Sequence, residues 1–115
     1  MILDRFDARV TVSASLFDCV PLYECIAIHG EMIWDTVRVN AFREALRQAA
    51  AGKTVLDIGT GMGILSMLAV QAGAKHVYAV EGSRIADTAE ELIAENGLSG
   101  QITLLRGYSH AITLP

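Results

Sequence analysis

Apolar and polar residues follow two different periods along the first half of the chain. Over residues 6–16 they alternate one by one, which predicts a half-buried strand or a bent hairpin. Further on, Asp35 provides an N-cap for a segment with helical spacing, and Gly52 provides a C-terminal stop. We therefore expect a helix over residues 35–51. Its inward face is expected to carry Val37, Ala41 and Leu46.

The second half of the chain alternates short apolar runs with segments of helical character. The run over residues 54–58 is apolar on both faces, which is typical of a parallel strand covered by helices. The predicted order is strand 54–58, helix 64–72, strand 77–80, helix 83–96 and strand 102–105. This order predicts an α/β fold with a doubly wound parallel sheet and right-handed crossovers. We expect residues 1–34 to form an N-terminal segment and residues 35–115 to form the first part of the α/β domain.

Composition narrows the classes of partner. The 115 residues are 52% hydrophobic, which suffices for one globular core, and their formal net charge is -4. Basic residues are scattered, so we expect neither nucleic acid nor an anionic membrane as a partner.

The charged start is not a secretory signal and no apolar run approaches the roughly 20 residues of a membrane helix, which predicts a cytoplasmic protein. Cys19 and Cys25 match neither a redox pair nor a zinc motif, and we predict no metal site.

A glycine-rich turn joins the first parallel strand to the helix after it. Gly59, Gly61 and Gly63 occupy alternate positions, where they can adopt dihedrals closed to other residues and expose bare backbone to a ligand. Open α/β sheets bind ligands at this place, where a helix directs unpaired N–H groups at the strand's end. A dinucleotide fingerprint requires glycine at position 64, which is Ile64, and no Lys-Ser or Lys-Thr pair follows the turn. The turn therefore matches neither the dinucleotide-binding fingerprint nor the phosphate-binding loop of nucleoside triphosphate sites.

Two acidic residues flank this turn in the predicted sheet. Glu81 ends the second strand, where its carboxylate can accept hydrogen bonds from both hydroxyls of a ribose lying across the turn. Asp57 directly precedes the turn, where it can orient the loop or meet a cationic group of the ligand. A ribose-bearing ligand without a pyrophosphate fits these features best. We therefore predict S-adenosylmethionine as the cofactor.

The same residues resemble a known family. The stretch "VLDIGTGMGILSMLAVQAGAKHVYAVEGS" resembles the first two motifs of class I S-adenosylmethionine-dependent methyltransferases, and it is most similar to the protein arginine methyltransferases. Upstream, "HGEMIWDTVRVNAFREAL" resembles the segment that precedes those motifs in the arginine enzymes. It places His29, Met32, Asp35 and Arg38 at the family's spacing. With "EGSRI" and the closing "LP", the similarity covers roughly residues 23 to 115.

The resemblance implies a role for each matching residue. Arg38 would pair with the carboxylate of the cofactor's methionine part, a contact that suits a guanidinium fork. His29 would lie near the ribose, and Met32 near the transferred methyl group. Together, the residues expected to form the cofactor site are His29, Met32, Arg38, Asp57, Gly59, Thr60, Gly61, Gly63, Ile64, Leu65, Glu81, Gly82 and Ser109.

The sequence departs from the family at two places. The family's Tyr-Phe-x-x-Tyr pattern, which covers the cofactor, is matched by Tyr23 alone. The glutamate that often contacts the adenine amino group is replaced by His110, which leaves Ser109 and its backbone as the expected neighbours of adenine.

The acceptor side of the family's active site follows the fourth strand, beyond Pro115. We therefore predict no catalytic residue in this chain, a Rossmann-like methyltransferase fold truncated after its third strand, and no activity of the chain alone. The first strand, central in the family, would expose its edge, which favours a homo-oligomer formed through that edge or cover by residues 6–16.

The expected function is that of a protein arginine N-methyltransferase-like enzyme, with this chain carrying the cofactor-binding half and a protein or peptide arginine as acceptor. Two alternatives stay open. One is a class I methyltransferase for a protein lysine or a small molecule. The other is a non-catalytic cofactor-binding or assembly module.

Overall fold

Three helices and three strands alternate along residues 35–115, the part of the chain that the computed structural model describes. In chain order they are α1 (Thr36–Ala49), β1 (Thr54–Ile58), α2 (Ile64–Gln71), β2 (His76–Glu81), α3 (Ile85–Glu95) and β3 (Ile102–Arg106). The predicted order of elements is confirmed. The N-terminal segment predicted for residues 1–34, with its strand or hairpin, lies outside the described residues.

The three strands form one parallel sheet with the order β1-β2-β3. Ile58 lies opposite Val80, and Glu81 lies opposite Arg106, so the carboxyl ends of all three strands meet at one edge. The predicted α/β class and the parallel arrangement of the first three strands are confirmed. This register brings the loops after the strands together at that edge.

The helices bury one face of the sheet. The buried core joins Val39 of α1, Met67 and Leu68 of α2, Leu92 and Ile93 of α3, and Val77, Ala79 and Ile102 of the strands. On the other face, Leu56 and Ile58 of β1 are 46% and 59% exposed. The expectation that β1 is covered on both faces is thus wrong for the described part of the chain, because its helices all pack on the same side.

Helix α1 begins as the sequence predicts but turns a different face inward. The Asp35 side chain accepts a hydrogen bond from the Arg38 N–H over 3.1 Å, which confirms the N-cap. Val37 is 80% exposed, whereas Val39 is buried in the core. Two positions are about 200° apart around a helix, so the two valines cannot share a face. The prediction of Val37 and Ala41 as inward residues was therefore wrong, and half-buried Leu46 alone of the three packs against the core.

An ion-pair cluster joins α3 to the end of β3. The Arg106 guanidinium donates hydrogen bonds to the carboxylates of Asp87 and Glu90, one turn apart on α3. The bond to Asp87, followed by the bond to Glu90, raises the pKa of Arg106 above its ordinary value. The cluster ties α3 to the strand end from which the last described loop leaves.

Candidate cofactor-binding site

The glycine-rich turn folds back onto the end of β2. Gly59, Gly61 and Gly63 all have left-handed backbones, with φ of 74°, 58° and 88°. The N–H groups of Gly59 and Thr60 donate hydrogen bonds to the Val80 carbonyl over 2.8 and 2.9 Å. A Cβ atom on Gly59 would meet nothing within 4 Å, so the backbone conformation and not crowding requires glycine there.

A three-way hydrogen-bond network holds the turn from beneath. One oxygen of Asp57, Oδ2, accepts bonds of 2.7 Å from both the Thr60 and the Ser66 hydroxyls. The two hydroxyl oxygens lie 3.0 Å apart, and both residues are buried. Of the two roles predicted for Asp57, this contact favours orientation of the loop. Sequence reasoning missed Ser66, although a lone hydroxyl in the apolar run "ILSMLAV" was a usable signal.

Glu81 bridges two loops at the end of β2. Its Oε2 accepts a 2.8 Å hydrogen bond from the Gly61 N–H, and its Oε1 accepts a 3.0 Å bond from the Ser83 N–H. A carboxylate has about four lone-pair sites, so each oxygen keeps capacity for a further donor such as a ribose hydroxyl. The half-buried carboxylate is thus fixed and can still accept.

A cleft of about 200 Å³ opens at this edge of the sheet. Four of the predicted site residues, Gly59, Glu81, Gly82 and Ser109, line it. Its other lining residues are Ile58, Val80, Gly107, Tyr108 and His110. The structure therefore brings the glycine turn, the acid and the loop after β3 to one concave site.

An aromatic pair closes the side of the cleft formed by the loop after β3. The rings of Tyr108 and His110 stack at a centroid distance of 5.9 Å with an interplanar angle of 14°. The Tyr108 ring also packs against Gly82, where a Cβ atom would lie 2.7 Å from Tyr108 Cε1. Gly82 is thus needed for close approach. Tyr108 was missed by sequence reasoning, because its contact with Gly82 spans loops that are distant in sequence.

The remaining predicted residues occupy several environments. Ile64 is part of the buried core, and buried Thr60 has its hydroxyl bonded to Asp57. Gly61 and Gly63 are buried in the turn outside the lining of the cleft, and Leu65 packs partly buried against the core at the start of α2. His29 and Met32 lie outside the described residues.

Arg38 belongs to the first turn of α1, outside the lining of the cleft. The Gly52 N–H, just after α1, donates a 2.8 Å hydrogen bond to the carbonyl of Gly73, just after α2. Because the two helices also pack together, their C-terminal ends meet and they run in the same direction. Their first turns therefore point towards the edge of the sheet that bears the glycine turn. Arg38 lies on that side of the molecule.

Residues 35–115 contain no group of histidine, cysteine and acidic side chains suited to hold a metal ion. In the same part of the chain, no helix is long and apolar enough to cross a membrane.

Comparisons with known proteins place the chain among methyltransferases. The sequence model of the ribosomal protein L11 methyltransferase (PrmA) family matches residues 31–112. A probable protein arginine N-methyltransferase 1.2 of Arabidopsis thaliana is 45% identical over 96 residues, covering 81% of this chain and 26% of that protein.

Two solved structures share the fold at similar identity. Arabidopsis thaliana protein arginine methyltransferase 10 gives a TM-score of 0.76 at 40% identity, over 81% of this chain and 28% of that one. The Trypanosoma brucei PRMT1 enzyme-prozyme heterotetrameric complex with AdoHcy gives a TM-score of 0.76 at 38% identity. The match covers 81% of this chain and 30% of the matched chain in that complex. The chain therefore spans between a quarter and a third of the length of these relatives.

Proposed function

Since the chain belongs to the PrmA-like class I S-adenosylmethionine-dependent methyltransferases, we propose that its cleft binds S-adenosylmethionine for transfer of a methyl group to arginine side chains of proteins. One observation carries the cofactor proposal. The Glu81 carboxylate is fixed by Gly61 and Ser83 beside Gly59, the first glycine of the turn, whose exposed backbone lines the cleft. A carboxylate with spare acceptor capacity beside bare backbone suits a ribose without a pyrophosphate.

The residues of the cleft fit the parts of this cofactor. Glu81 would accept the ribose hydroxyls, and the exposed backbone of Gly59 would lie along the nucleoside, while the buried Gly61 would act by fixing Glu81. The loop of Tyr108 and Ser109 offers a flat ring surface and polar backbone for adenine. These assignments extend the predicted set, in which His29 and Met32 keep their proposed places near the ribose and the methyl group.

Bound S-adenosylmethionine supplies an electrophilic methyl group on a sulfonium, which an acceptor nitrogen displaces in line. In such a reaction the protein mainly orients the two partners and accommodates the redistributed charge. Arg38 would hold the carboxylate at one end of the cofactor, while Glu81 would hold the ribose. Asp57 would act on the turn through Thr60 and Ser66. The described residues would thus serve the cofactor side of the reaction.

The acceptor is proposed from the relatives. Several curated relatives that are 38% to 48% identical are named protein arginine N-methyltransferases, which supports a protein arginine as acceptor. The match to the ribosomal protein L11 methyltransferase family favours a second candidate, methylation of another group of a protein.

A transfer assay distinguishes these two functions. Because this chain alone is expected to be inactive, the assay uses the product of the gene's whole reading frame. It is incubated with S-adenosylmethionine carrying a labelled methyl group and with two peptides that differ only in arginine or lysine at one site. The proposal expects label in the arginine peptide alone. Label in the lysine peptide alone would favour the second candidate. Cofactor binding without label in either peptide would favour a cofactor-binding module.

We further propose that the protein is cytoplasmic. We also propose that it self-associates through the edge of β1. Within the described residues, β1 pairs with β2 alone, and Leu56 and Ile58 beside that edge are exposed. An unpaired apolar strand edge favours pairing with another chain. The assembly of the Trypanosoma brucei relative as a heterotetramer is consistent with association in this family.

A further inference from the structure

Arg38 contacts an aromatic ring one helical turn further along α1. Its Cζ atom lies 5.2 Å from the centroid of the Phe42 ring, within the range of a cation–π interaction. Phe42 is 40% exposed and lies outside the buried core cluster. A large apolar ring at a half-open surface position is not required to fill the core of residues 35–115, and within those residues the guanidinium of Arg38 is a specific partner of the ring.

The contact restricts a flexible side chain. An unrestrained arginine side chain has many accessible rotamers, and part of this rotamer entropy is lost when it binds a ligand. A guanidinium already held over a ring loses less of this freedom on binding, which raises affinity without a new ligand contact. Asp35 does not replace the ring in this role, because its side chain accepts from the Arg38 backbone N–H.

We propose that Phe42 is a positioning residue that restricts the Arg38 guanidinium, the group proposed to bind the carboxylate of the cofactor's amino acid part. This inference rests on the proposed binding of S-adenosylmethionine and assigns the ring a function in affinity for that cofactor. Phe42 touches Arg38 and acts through it. Removing the ring should therefore affect only ligands that carry the carboxylate.

Isothermal titration of the whole chain with two ligands tests this role. One ligand is S-adenosylmethionine, and the other is decarboxylated S-adenosylmethionine, which keeps the nucleoside and the sulfonium. Phe42→Leu should weaken binding of the first ligand about two- to fivefold and leave binding of the second unchanged. Phe42→Tyr keeps a ring and should retain the affinity of the unaltered chain for both ligands.

Two further variants separate positioning from packing. In an Arg38→Ala background, Phe42→Leu should cause no additional loss, because the ring then has no guanidinium to orient. Val37→Ala, at an exposed apolar position of the same helix, should leave both affinities unchanged. Equal weakening of both ligands by Phe42→Leu, no weakening of either, or losses that add to those of Arg38→Ala would each overturn the inference.

The titration also separates this inference from the function on which it rests. An unaltered chain that binds neither ligand would contradict the proposed cofactor and the role of Phe42 together. Binding of S-adenosylmethionine that is insensitive to Phe42→Leu would overturn the positioning role alone.

Discussion

The Gly61 N–H donates a 2.8 Å hydrogen bond to Oε2 of Glu81, twenty positions further along the chain. This bond joins the turn after β1 to the end of β2, so the chain's own backbone fixes the proposed ribose acceptor relative to the glycine turn. Groups fixed in this way lose little freedom when a ligand binds.

Replacement of Glu81 by glutamine should weaken cofactor binding and the fold. The amide keeps one acceptor oxygen, but its NH₂ group would face one of two N–H donors, from Gly61 or Ser83. We expect affinity for S-adenosylmethionine to fall about tenfold or more and stability to fall by about 1 kcal/mol, measured by titration and urea unfolding. Glu91→Gln, on the exposed side of α3, is the matched control and should change neither quantity. Equal effects of the two variants would contradict the role of Glu81.

The network beneath the turn should behave as one unit. Asp57→Ala leaves the buried Thr60 and Ser66 hydroxyls without their shared acceptor and should destabilise the chain by about 2 kcal/mol or more. Ser66→Ala alone should cost about 1 kcal/mol. In the Asp57→Ala background the cost of Ser66→Ala should shrink, because the bond is already lost. Strictly additive costs in urea unfolding would show that the network does not couple these residues.

Gly82 should be intolerant of even one methyl group. A Cβ atom there would lie 2.7 Å from Cε1 of Tyr108, so the exposed ring would have to swing away from the cleft wall. Gly82→Ala should weaken S-adenosylmethionine binding, and adding Tyr108→Ala should relieve the clash and restore the stability that Gly82→Ala removes. Gly100→Ala, where the added atom meets nothing within 4 Å, is the control and should bind normally. Unchanged binding by Gly82→Ala would mean that the Tyr108 wall does not shape the site.

Self-association should depend on the exposed face of β1. Leu56→Lys places a charge beside the unpaired strand edge, where lysine opposes pairing with another strand. We expect it to lower the mass measured by light scattering during size-exclusion chromatography. Val37→Lys tests an exposed apolar position on α1 and should leave the mass unchanged. An unaltered chain that stays monomeric over a wide range of concentrations would rule out this surface as an interface.

The elements and the ligand edge were predictable because they depend on local patterns. Short apolar runs, helical spacing and glycine stops set the order of strands and helices, and a parallel sheet then brings the strand ends together. Gly59 and Glu81 could be placed in the cleft on that basis, and Gly82 through the family resemblance. Family resemblance added Arg38, and the structure supplies its position on the same side as the cleft.

What the sequence could not predict depends on contacts between distant segments. The Tyr108 ring meets Gly82 only because two loops converge after β2 and β3. Arg106 likewise meets Asp87 and Glu90 through the packing of α3 on the sheet. Val37 was misassigned for a different reason, since several faces of α1 carry apolar residues and periodicity alone did not choose among them.

The most direct test of the proposed cofactor is titration of the whole chain with S-adenosylmethionine and, separately, with NAD under the same conditions. We expect weak binding of S-adenosylmethionine, weakened further by Arg38→Ala and by Glu81→Ala, and no heat of binding with NAD. Ile64 in place of a glycine is the physical reason to expect rejection of the pyrophosphate. Preferential binding of NAD, or S-adenosylmethionine binding that neither substitution affects, would contradict the proposed site.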